Sequence, residues 1–218
     1  MQVLVVGATG QTGKHIVKDL TKRNVTVTAV VRNIEKAQEL LPSGVDFILG
    51  DVTKPDTIAE AMSHCNILIC ATGATPSFNF TGPYQVDYQG TKNLVNLAKA
   101  NGIEHFVMVS SLCVSRFFHP LNLFWLVLFW KKQAESYLEQ SGLTYTIVRP
   151  GGLKNEDNTD QIVMLPADTL FEGSIPRQKV AQVCVEALFN DEAKNKIVEI
   201  VTNPEQKAQT WQQLFASV

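Results

Sequence analysis

Short apolar runs rich in β-branched residues alternate with amphipathic stretches along the chain. The apolar runs predict β-strands over residues 3–6, 25–31, 45–49, 67–71, 105–109, 145–148 and 197–201. The amphipathic stretches predict helices over residues 14–22, 34–41, 57–63, 86–100, 131–140 and 179–189. Strands and helices that alternate in this way form a parallel sheet with helices on both faces. The pattern therefore predicts an α/β fold with a doubly wound parallel sheet in a three-layer αβα arrangement.

Length and composition fit a single domain. The 218 residues are 45% hydrophobic, which suffices for one sizeable core, and no linker, repeat or low-complexity segment divides them. We expect one domain over residues 1–218, with a cofactor half over about residues 1–110 and a substrate or lid half over about residues 111–218. The net charge of −2 gives no electrostatic reason to expect nucleic acid as a partner.

The cysteines and the amino terminus indicate a reducing compartment. Cys65, Cys70, Cys113 and Cys184 show neither metal-ligand spacing nor a C-x-x-C pair, so we expect reduced, mostly buried thiols and no metal site. The first apolar run begins two residues after Met1, so neither a signal peptide nor a transit sequence is expected. We expect a cytoplasmic protein, which includes a cyanobacterial cytoplasm or a plastid stroma.

The loop between the first strand and the first helix carries glycine at positions 7, 10 and 13, in the sequence G-A-T-G-Q-T-G. Gly7 permits a tight turn, Gly10 lets the backbone approach a phosphate, and Gly13 lets the helix pack closely on the strand. Backbone amides and the helix dipole favour an anion at this helix start. The context predicts a Rossmann-type dinucleotide site that includes Thr9, Gln11 and Thr12, whereas the alternative is a plain strand-to-helix turn.

Two cations follow the second strand, where this fold recognises the adenosine ribose. An acidic residue there would accept from a free 2′-hydroxyl, but the strand ends in Arg32, with Lys36 one helical turn further on. A guanidinium and an ammonium favour a 2′-phosphate, so the cofactor is predicted to be NADP (NADPH) rather than NAD. The alternative is a solvated arginine at a strand end.

The ends of the third, fourth and fifth strands supply further candidate cofactor-binding residues. Asp51 and Val52 are expected near the adenine, although Asp51 could equally serve as the N-cap of the next helix or in its turn. Small residues after the fourth strand let a dinucleotide pass, and a serine follows the fifth strand at the same edge of the sheet. These candidates are Ala71, Thr72, Gly73 and Ser110.

Several stretches resemble the atypical short-chain dehydrogenase/reductases over nearly the whole chain. They are G-A-T-G-Q-T-G at 7–13, V-V-R-N at 30–33, G-D-V at 50–52, V-D-Y-Q-G-T-K-N at 86–93, V-S-S at 109–111 and Y-T-I-V-R-P-G-G-L at 145–153. Residues 122–125, 130–131, 168–173 and 196–201 are similar to the NADP-binding domain of the chloroplast translocon component that docks ferredoxin–NADP reductase. Biliverdin-IXβ/flavin reductase is a more distant likeness.

The resemblance implies roles for residues in the second half of the chain. Ser111 and Lys131 match the serine and lysine of the catalytic set, and Lys131 would also hold the nicotinamide ribose. The proton-donating tyrosine of that set is missing, because Val127 stands four residues before Lys131. Ordinary alcohol–ketone chemistry is therefore not expected. Arg149 is expected to be structural, and the backbone that follows it should lie near the nicotinamide, at Pro150, Gly151, Gly152 and Leu153.

Two functions remain open at this stage. One is an NADPH-dependent reductase of a flat conjugated acceptor, such as a flavin or the linear tetrapyrrole biliverdin, which needs little help from a protein acid. The other is a non-catalytic NADP(H) sensor or scaffold that docks a photosynthetic partner such as ferredoxin–NADP reductase.

The aromatic segment 117–130 is too short to span a bilayer. It has three interpretations: a buried helix start with a loop over the pocket, a lid over a flat ligand, or a patch for a protein or membrane surface.

Overall fold

The computed structural model describes residues 1–74 and 80–218. The strands are β1 (Gln2–Val6), β2 (Thr26–Val31), β3 (Asp46–Leu49), β4 (Ile67–Cys70), β5 (His105–Val109), β6 (Tyr145–Pro150), β7 (Gly152–Lys154), β8 (Gln161–Pro166), β9 (Ser174–Pro176) and β10 (Lys196–Asn203). The helices are α1 (Gly13–Lys22), α2 (Ile34–Leu40), α3 (Asp56–Ser63), α4 (Thr91–Ala100), α5 (Val127–Glu139), α6 (Arg177–Glu186) and α7 (Trp211–Ala216). A π-helix, Pro83–Gly90, leads directly into α4.

An eight-stranded sheet in the order β3-β2-β1-β4-β5-β6-β10-β8 forms the centre of the molecule. The first seven strands in that order are parallel, and β8 pairs with β10 in the antiparallel sense. Alternate residues of β1 enter two different apolar layers: Val3 and Val5 pack on one face, and Leu4 and Val6 on the other. Both faces of the sheet are thus covered, which confirms the predicted doubly wound three-layer fold.

The strand order places the carboxyl ends of the parallel strands along one edge. The strands β2 and β3 are added on one side of β1, and β4 is added on its other side. The switch point of the sheet therefore lies between β1 and β4. A crevice forms at such a switch point, outside the carboxyl ends of the strands, and ligands of this fold bind there. The predicted cofactor residues fall after these strand ends.

Some elements differ from the sequence-based expectation. The antiparallel strand β8, the short pair β7 and β9, and helix α7 were not predicted. The predicted helix 86–100 begins as a π-helix, and the predicted helix 131–140 begins four residues earlier, at Val127. Arg149 and Pro150, both expected in the loop after this strand, are the last two residues of β6, because that strand continues alongside β10. Within the described ranges, no helix combines the length and the apolarity that a membrane crossing requires.

The fully buried Arg149 of β6 is the centre of an ionic cluster. Its guanidinium binds Glu135 of α5 with two bonds, Nε to Oε1 at 3.0 Å and Nη2 to Oε2 at 2.7 Å. Nη1 donates to Asp168 at 2.9 Å and to Glu199 of β10 at 3.1 Å. Burial lowers the pKa of the guanidinium, but the carboxylates outweigh this effect and raise it. The cluster joins α5, β6 and β10 under the site edge, so the structural role expected for Arg149 is confirmed.

Candidate cofactor site

The loop after β1 is packed so tightly that only glycine fits at two of its positions. Gly7 has φ of +82°, and a Cβ there would lie 2.6 Å from the carbonyl oxygen of Ala71. A Cβ on Gly13 would lie 2.1 Å from the carbonyl oxygen of Gly7. The amide of Gly10 donates to that same carbonyl at 3.0 Å and closes the turn. The loop therefore lies directly against the end of β4, as a dinucleotide cradle requires.

Helix α1 begins in this loop and presents a start that suits an anion. Thr12, which precedes the helix, is buried and forms no side-chain cap, and the first turn of α1 contains no acidic residue. The first amides of a helix have no partner within the helix, and the helix dipole adds partial positive charge there. Gln11 is exposed and Thr9 half-buried, both at the rim of the loop. The arrangement fits a pyrophosphate.

Arg32 and Lys36 are both exposed beyond the end of β2. The chain turns immediately into α2, because the side chain of Asn33 caps that helix by accepting from the amide of Lys36 at 2.8 Å. The capped turn places Arg32 just before α2 and Lys36 in its first turn, and the charge of Arg32 acts on Asp51 in the loop after β3. Their placement is compatible with a 2′-phosphate, and that contact stays a prediction.

Asp51 follows β3 and builds a turn. Its Oδ1 accepts from the amide of Thr53 at 2.8 Å and from the hydroxyl of Thr53 at 2.7 Å. The Thr53 amide is the main cause of a lowered pKa of this carboxyl, and the charge of Arg32 adds to the effect. Helix α3 begins only at Asp56, so Asp51 is not its N-cap. Of the alternatives weighed above, the structure shows the turn, and the contact with adenine remains a prediction.

Val52, the neighbouring candidate, is buried under the π-helix. A Cβ on Gly90 would lie 2.6 Å from Cγ2 of Val52, so the glycine lets the helix approach this side chain. The carbonyl oxygen of Val52 accepts from Nδ2 of Asn93 at 2.8 Å. The side chain of Val52 is therefore used in packing, and its contact with adenine stays a prediction.

The segment after β4 meets Lys131. Ala71 and Thr72 are half-buried, and the Thr72 hydroxyl lies 3.2 Å from Sγ of Cys70. Gly73 is exposed, and a Cβ at this position would lie 3.9 Å from Nζ of Lys131. The structure thus joins the glycine loop, the end of β4 and the start of α5 in one continuous surface.

Lys131 is paired with a buried aspartate. Its Nζ lies 2.8 Å from Oδ1 of Asp87, and the two side chains are 14% and 1% exposed. Burial by itself lowers the pKa of Lys131, but the adjacent carboxylate outweighs it and holds that pKa above its usual value. The lysine is therefore a fixed cation at the site. Asp87 was not identified from the sequence, although the V-D-Y-Q stretch noted there contains it.

Ser110 and Ser111 follow β5 at the same edge. Ser110 is 5% exposed, and its Oγ is buried without a hydrogen-bond partner in the described part of the chain. A buried hydroxyl of this kind has a donor and acceptor available to a bound group. Ser111, the next residue, is half-buried, and its predicted catalytic role stays a prediction. The glycine loop after β1 and this hydroxyl together fit a dinucleotide.

The backbone after β6 is fixed by the short parallel pair of β7 and β9. The amide of Gly152 donates to the carbonyl oxygen of Gly173 at 2.9 Å, and a Cβ on Gly151 would lie 2.7 Å from the same oxygen. Leu153 is 39% exposed. Pro150 accepts from the amide of Leu112 at 3.0 Å, which ties this segment to the one that follows Ser111. The site thus gains a rigid wall at the place expected for the nicotinamide.

The aromatic segment 117–130 is organised around Asn122. Oδ1 of this 8% exposed residue accepts from the amides of Leu128 and Phe129 at 2.9 and 3.2 Å, and Nδ2 donates to the carbonyl oxygen of Phe117 at 2.8 Å. Asn122 therefore caps α5 from outside the helix. Val127, which stands four residues before Lys131 in the sequence, is the first residue of α5.

The same segment combines a buried part with an exposed part. Trp130 packs against two tyrosines of the π-helix, with ring centroids 4.9 Å from Tyr84 and 5.7 Å from Tyr88. Phe118 and Leu123, by contrast, are 96% and 82% exposed. We call the exposed apolar side chains of this segment the aromatic loop; they are Phe117, Phe118, Leu121, Leu123, Phe124 and Leu126.

Fold and site together define a Rossmann-fold, NAD(P)-binding domain of the oxidoreductase type. A model of the NAD(P)H-binding family matches residues 7–191. An uncharacterized chloroplastic protein of Arabidopsis thaliana is 46% identical over 100% of this chain and 82% of its own length. The chloroplastic protein TIC 62 of Pisum sativum is 37% identical over 91% of this chain, which spans 42% of the length of that relative.

Sanguinarine reductase of Eschscholzia californica is 32% identical over 94% of this chain and 90% of its own length. Among solved structures, a Bacillus halodurans protein described as an NAD-dependent epimerase/dehydratase superimposes with a TM-score of 0.87 and 27% identity, over 100% of both chains. The chain belongs to the NAD(P)H-binding family, among the atypical short-chain dehydrogenase/reductases. The resemblance stated above is confirmed, and NAD(P)H is the cofactor of this family.

Proposed function

We propose that the protein is an NADPH-dependent reductase of a flat conjugated acceptor. The observation that supports the proposal is a tight glycine loop of the shape that suits a dinucleotide, on the same sheet edge as a fixed Lys131 cation, with Val127 where a proton-donating tyrosine would stand. A delocalised acceptor takes hydride and can obtain its proton from solvent, so it does not require that tyrosine. One relative is named sanguinarine reductase, so a reductase activity has a precedent among the relatives.

In this proposal each candidate residue has a definite task. The glycine loop, with Thr9, Gln11 and Thr12, holds the pyrophosphate at the start of α1. Asp51 and Val52 border the adenine, and Ala71, Thr72 and Gly73 let the dinucleotide cross the sheet edge. Ser110, Lys131 and the backbone of residues 150–153 border the nicotinamide half, and Ser111 borders the acceptor. When bound, the cofactor supplies the hydride.

We infer NADPH rather than NADH from the two cations after β2. The guanidinium of the exposed Arg32 can form a charge-assisted bidentate contact with a 2′-phosphate, and Lys36 adds a second positive charge. Arg32→Ala is expected to weaken NADPH binding by about 1.5–3 kcal/mol and to leave NADH binding nearly unchanged. Calorimetric titration with both cofactors measures the difference. Arg23→Ala, which removes an arginine at the far end of α1, serves as the control, and equal losses for both cofactors would refute the assignment.

The reductase assay follows the NADPH absorbance band after addition of FMN, FAD, biliverdin or sanguinarine to the pure protein. Oxidation of NADPH by one of these acceptors, with loss of that rate in Ser111→Ala or Lys131→Met, is the expected result. NADPH binding without oxidation by any of the four would count against the reductase. The chloroplastic relatives favour a plastid stroma or a cyanobacterial cytoplasm as the place of this reaction.

The aromatic loop favours a second candidate, a non-catalytic NADP(H) sensor or scaffold. Side chains as exposed as Phe118 and Leu123 form an apolar surface next to the start of α5, which also carries Lys131. In this alternative, cofactor binding controls the docking of a partner such as ferredoxin–NADP reductase. Analytical ultracentrifugation of the two proteins, with and without NADPH, tests it. A complex that Phe118→Ser and Leu123→Ser abolish supports the scaffold, and no complex under either condition refutes it.

A further inference from the structure

Asp87 lies where three parts of the site meet. It belongs to the π-helix, and its side chain is 1% exposed. Its Oδ1 lies 2.8 Å from Nζ of Lys131 in α5, and its Oδ2 accepts from the amide of Ala74 at 3.2 Å. One carboxylate thus connects the π-helix, α5 and the segment after β4. Neither contact is local in sequence, so the fold has brought them together.

The π-helix that carries Asp87 is itself an unusual feature. π-helical turns are rare, are less favourable than α-helical ones, and occur frequently at functional sites. This one is held in place by α5, since the rings of Tyr84 and Tyr88 pack on Trp130. Trp130 immediately precedes Lys131, so the packing that supports the widened turn also sets the position of the lysine.

Electrostatics show why the carboxylate matters to the lysine. The groups that act on Lys131 are Asp87 from the π-helix, Cys70 from the end of β4 and Glu135 one turn further along α5. Burial raises the pKa of the Cys70 thiol, so it remains neutral. Glu135 already accepts two bonds from Arg149. Asp87 is therefore the partner that offsets the cost of burying the Lys131 ammonium.

We propose that Asp87 is a positioning residue of the cofactor site: it keeps Lys131 charged beside Gly73 and holds the segment after β4 in place. This inference deepens the proposed function and rests on the placement of the nicotinamide half at that surface. In it, the positive charge of Lys131 strengthens NADPH binding, whereas Asp87 acts through Lys131 and Ala74. Asp87 thereby makes cofactor affinity independent of pH across the range in which a buried lysine would otherwise lose its proton.

The test measures the dissociation constant of NADPH between pH 7 and pH 10 by fluorescence titration without any acceptor. Asp87→Asn preserves the shape and an acceptor for Ala74 but removes the charge. The wild type should show a constant affinity. Asp87→Asn should weaken progressively with rising pH, by up to about tenfold per unit above the lowered pKa of Lys131. Lys131→Met should be weak and independent of pH. The control, Asp191→Asn, breaks an exposed ion pair with Lys194 and should match the wild type.

A pH-independent affinity in Asp87→Asn, or wild-type affinity in Lys131→Met, would overturn the inference. If Asp87→Asn does not fold, the double variant with Lys131→Met should recover folding, because both buried charges are gone. Failure of the double variant to fold would show that Asp87 is merely structural and would also overturn it. Because the titration contains no acceptor, it is separate from the reductase assay. If the NADPH affinities show the expected pH dependence but no acceptor oxidises NADPH, only the proposed reductase is refuted.

Discussion

Replacement of Arg149 by methionine should be far more damaging than replacement of an exposed arginine with similar partners. The Arg149→Met change would leave Glu135 buried without its two guanidinium bonds, and Lys132 Nζ at 3.6 Å would be its remaining ion-pair partner among the described residues. Glu199 would keep three backbone donors, the amides of residues 168–170 at 2.9, 3.0 and 2.7 Å. The cost therefore falls mainly on Glu135. Breaking a buried ion pair from one side costs about 3–5 kcal/mol in the free energy of unfolding.

Arg23 provides the matched control for this measurement. It also pairs with two carboxylates, Asp19 at 3.1 Å and Glu186 at 2.6 Å, but its side chain is 33% exposed. Water screens such pairs, so Arg23→Met should cost no more than about 1 kcal/mol. Urea unfolding followed by tryptophan fluorescence gives both free energies of unfolding. The expected difference is easily measured, because the total free energy of unfolding of a domain is only about 5–15 kcal/mol.

A second-site change separates the ionic explanation from simple loss of packing. Glu135→Leu in the Arg149→Met background removes the unpaired carboxylate and should recover most of the lost free energy of unfolding, because apolar replacement of a buried ion pair is often neutral or better. A cost below about 1 kcal/mol for Arg149→Met would contradict the reasoning. So would a double variant that is no more stable than the single one.

Two further predictions concern His105 and the glycine loop. Burial, with a smaller effect of Lys194, lowers the pKa of His105 to about 4, so the unfolded chain binds the extra proton first as the pH falls below 6.5. Between pH 7 and pH 4.5, the free energy of unfolding should fall by about 2–3 kcal/mol more in the wild type than in His105→Gln. Urea titrations at both pH values measure this difference, and equal losses in the two proteins would refute the prediction. Gly7→Ala should abolish NADPH binding or folding, because its Cβ would strike Ala71, whereas Gly44→Ala, with φ of +85° but no atom within 4 Å, should cost only about 1–2 kcal/mol. Thermal unfolding and NADPH titration of both variants measure the contrast, and wild-type binding by Gly7→Ala would contradict the cradle.

The central sheet was predictable because a buried parallel strand is apolar at every position. β4, Ile67–Cys70, is buried throughout, and its sequence shows this directly. β8 was missed because it is an edge strand in which most side chains are half-buried or exposed, so it lacks a strong pattern. The short pair β7 and β9 depends on contacts between distant segments, which no local pattern reveals.

The site was predictable where the backbone has to be glycine and less so where side chains meet. Gly7 and Gly13 follow from turn and packing geometry that the sequence spells out. Asp87 looks like an ordinary surface residue of a helix, and only the tertiary structure shows it buried against Lys131. Asn122 was missed for a related reason: it caps α5 from a position five residues before Val127, outside the usual capping window.

The pairing of β5 with β6 shows that the two halves of the chain are not autonomous modules. Phe106 through Val109 lie in register with Tyr145 through Val148, in the middle of the sheet. A fragment that stopped near residue 110 would turn β5 into a bare border strand with a row of unpaired amides and a fully apolar flank. A chimera that carried only the predicted cofactor half would therefore expose an aggregation-prone strand edge, so it has to include β6 as well.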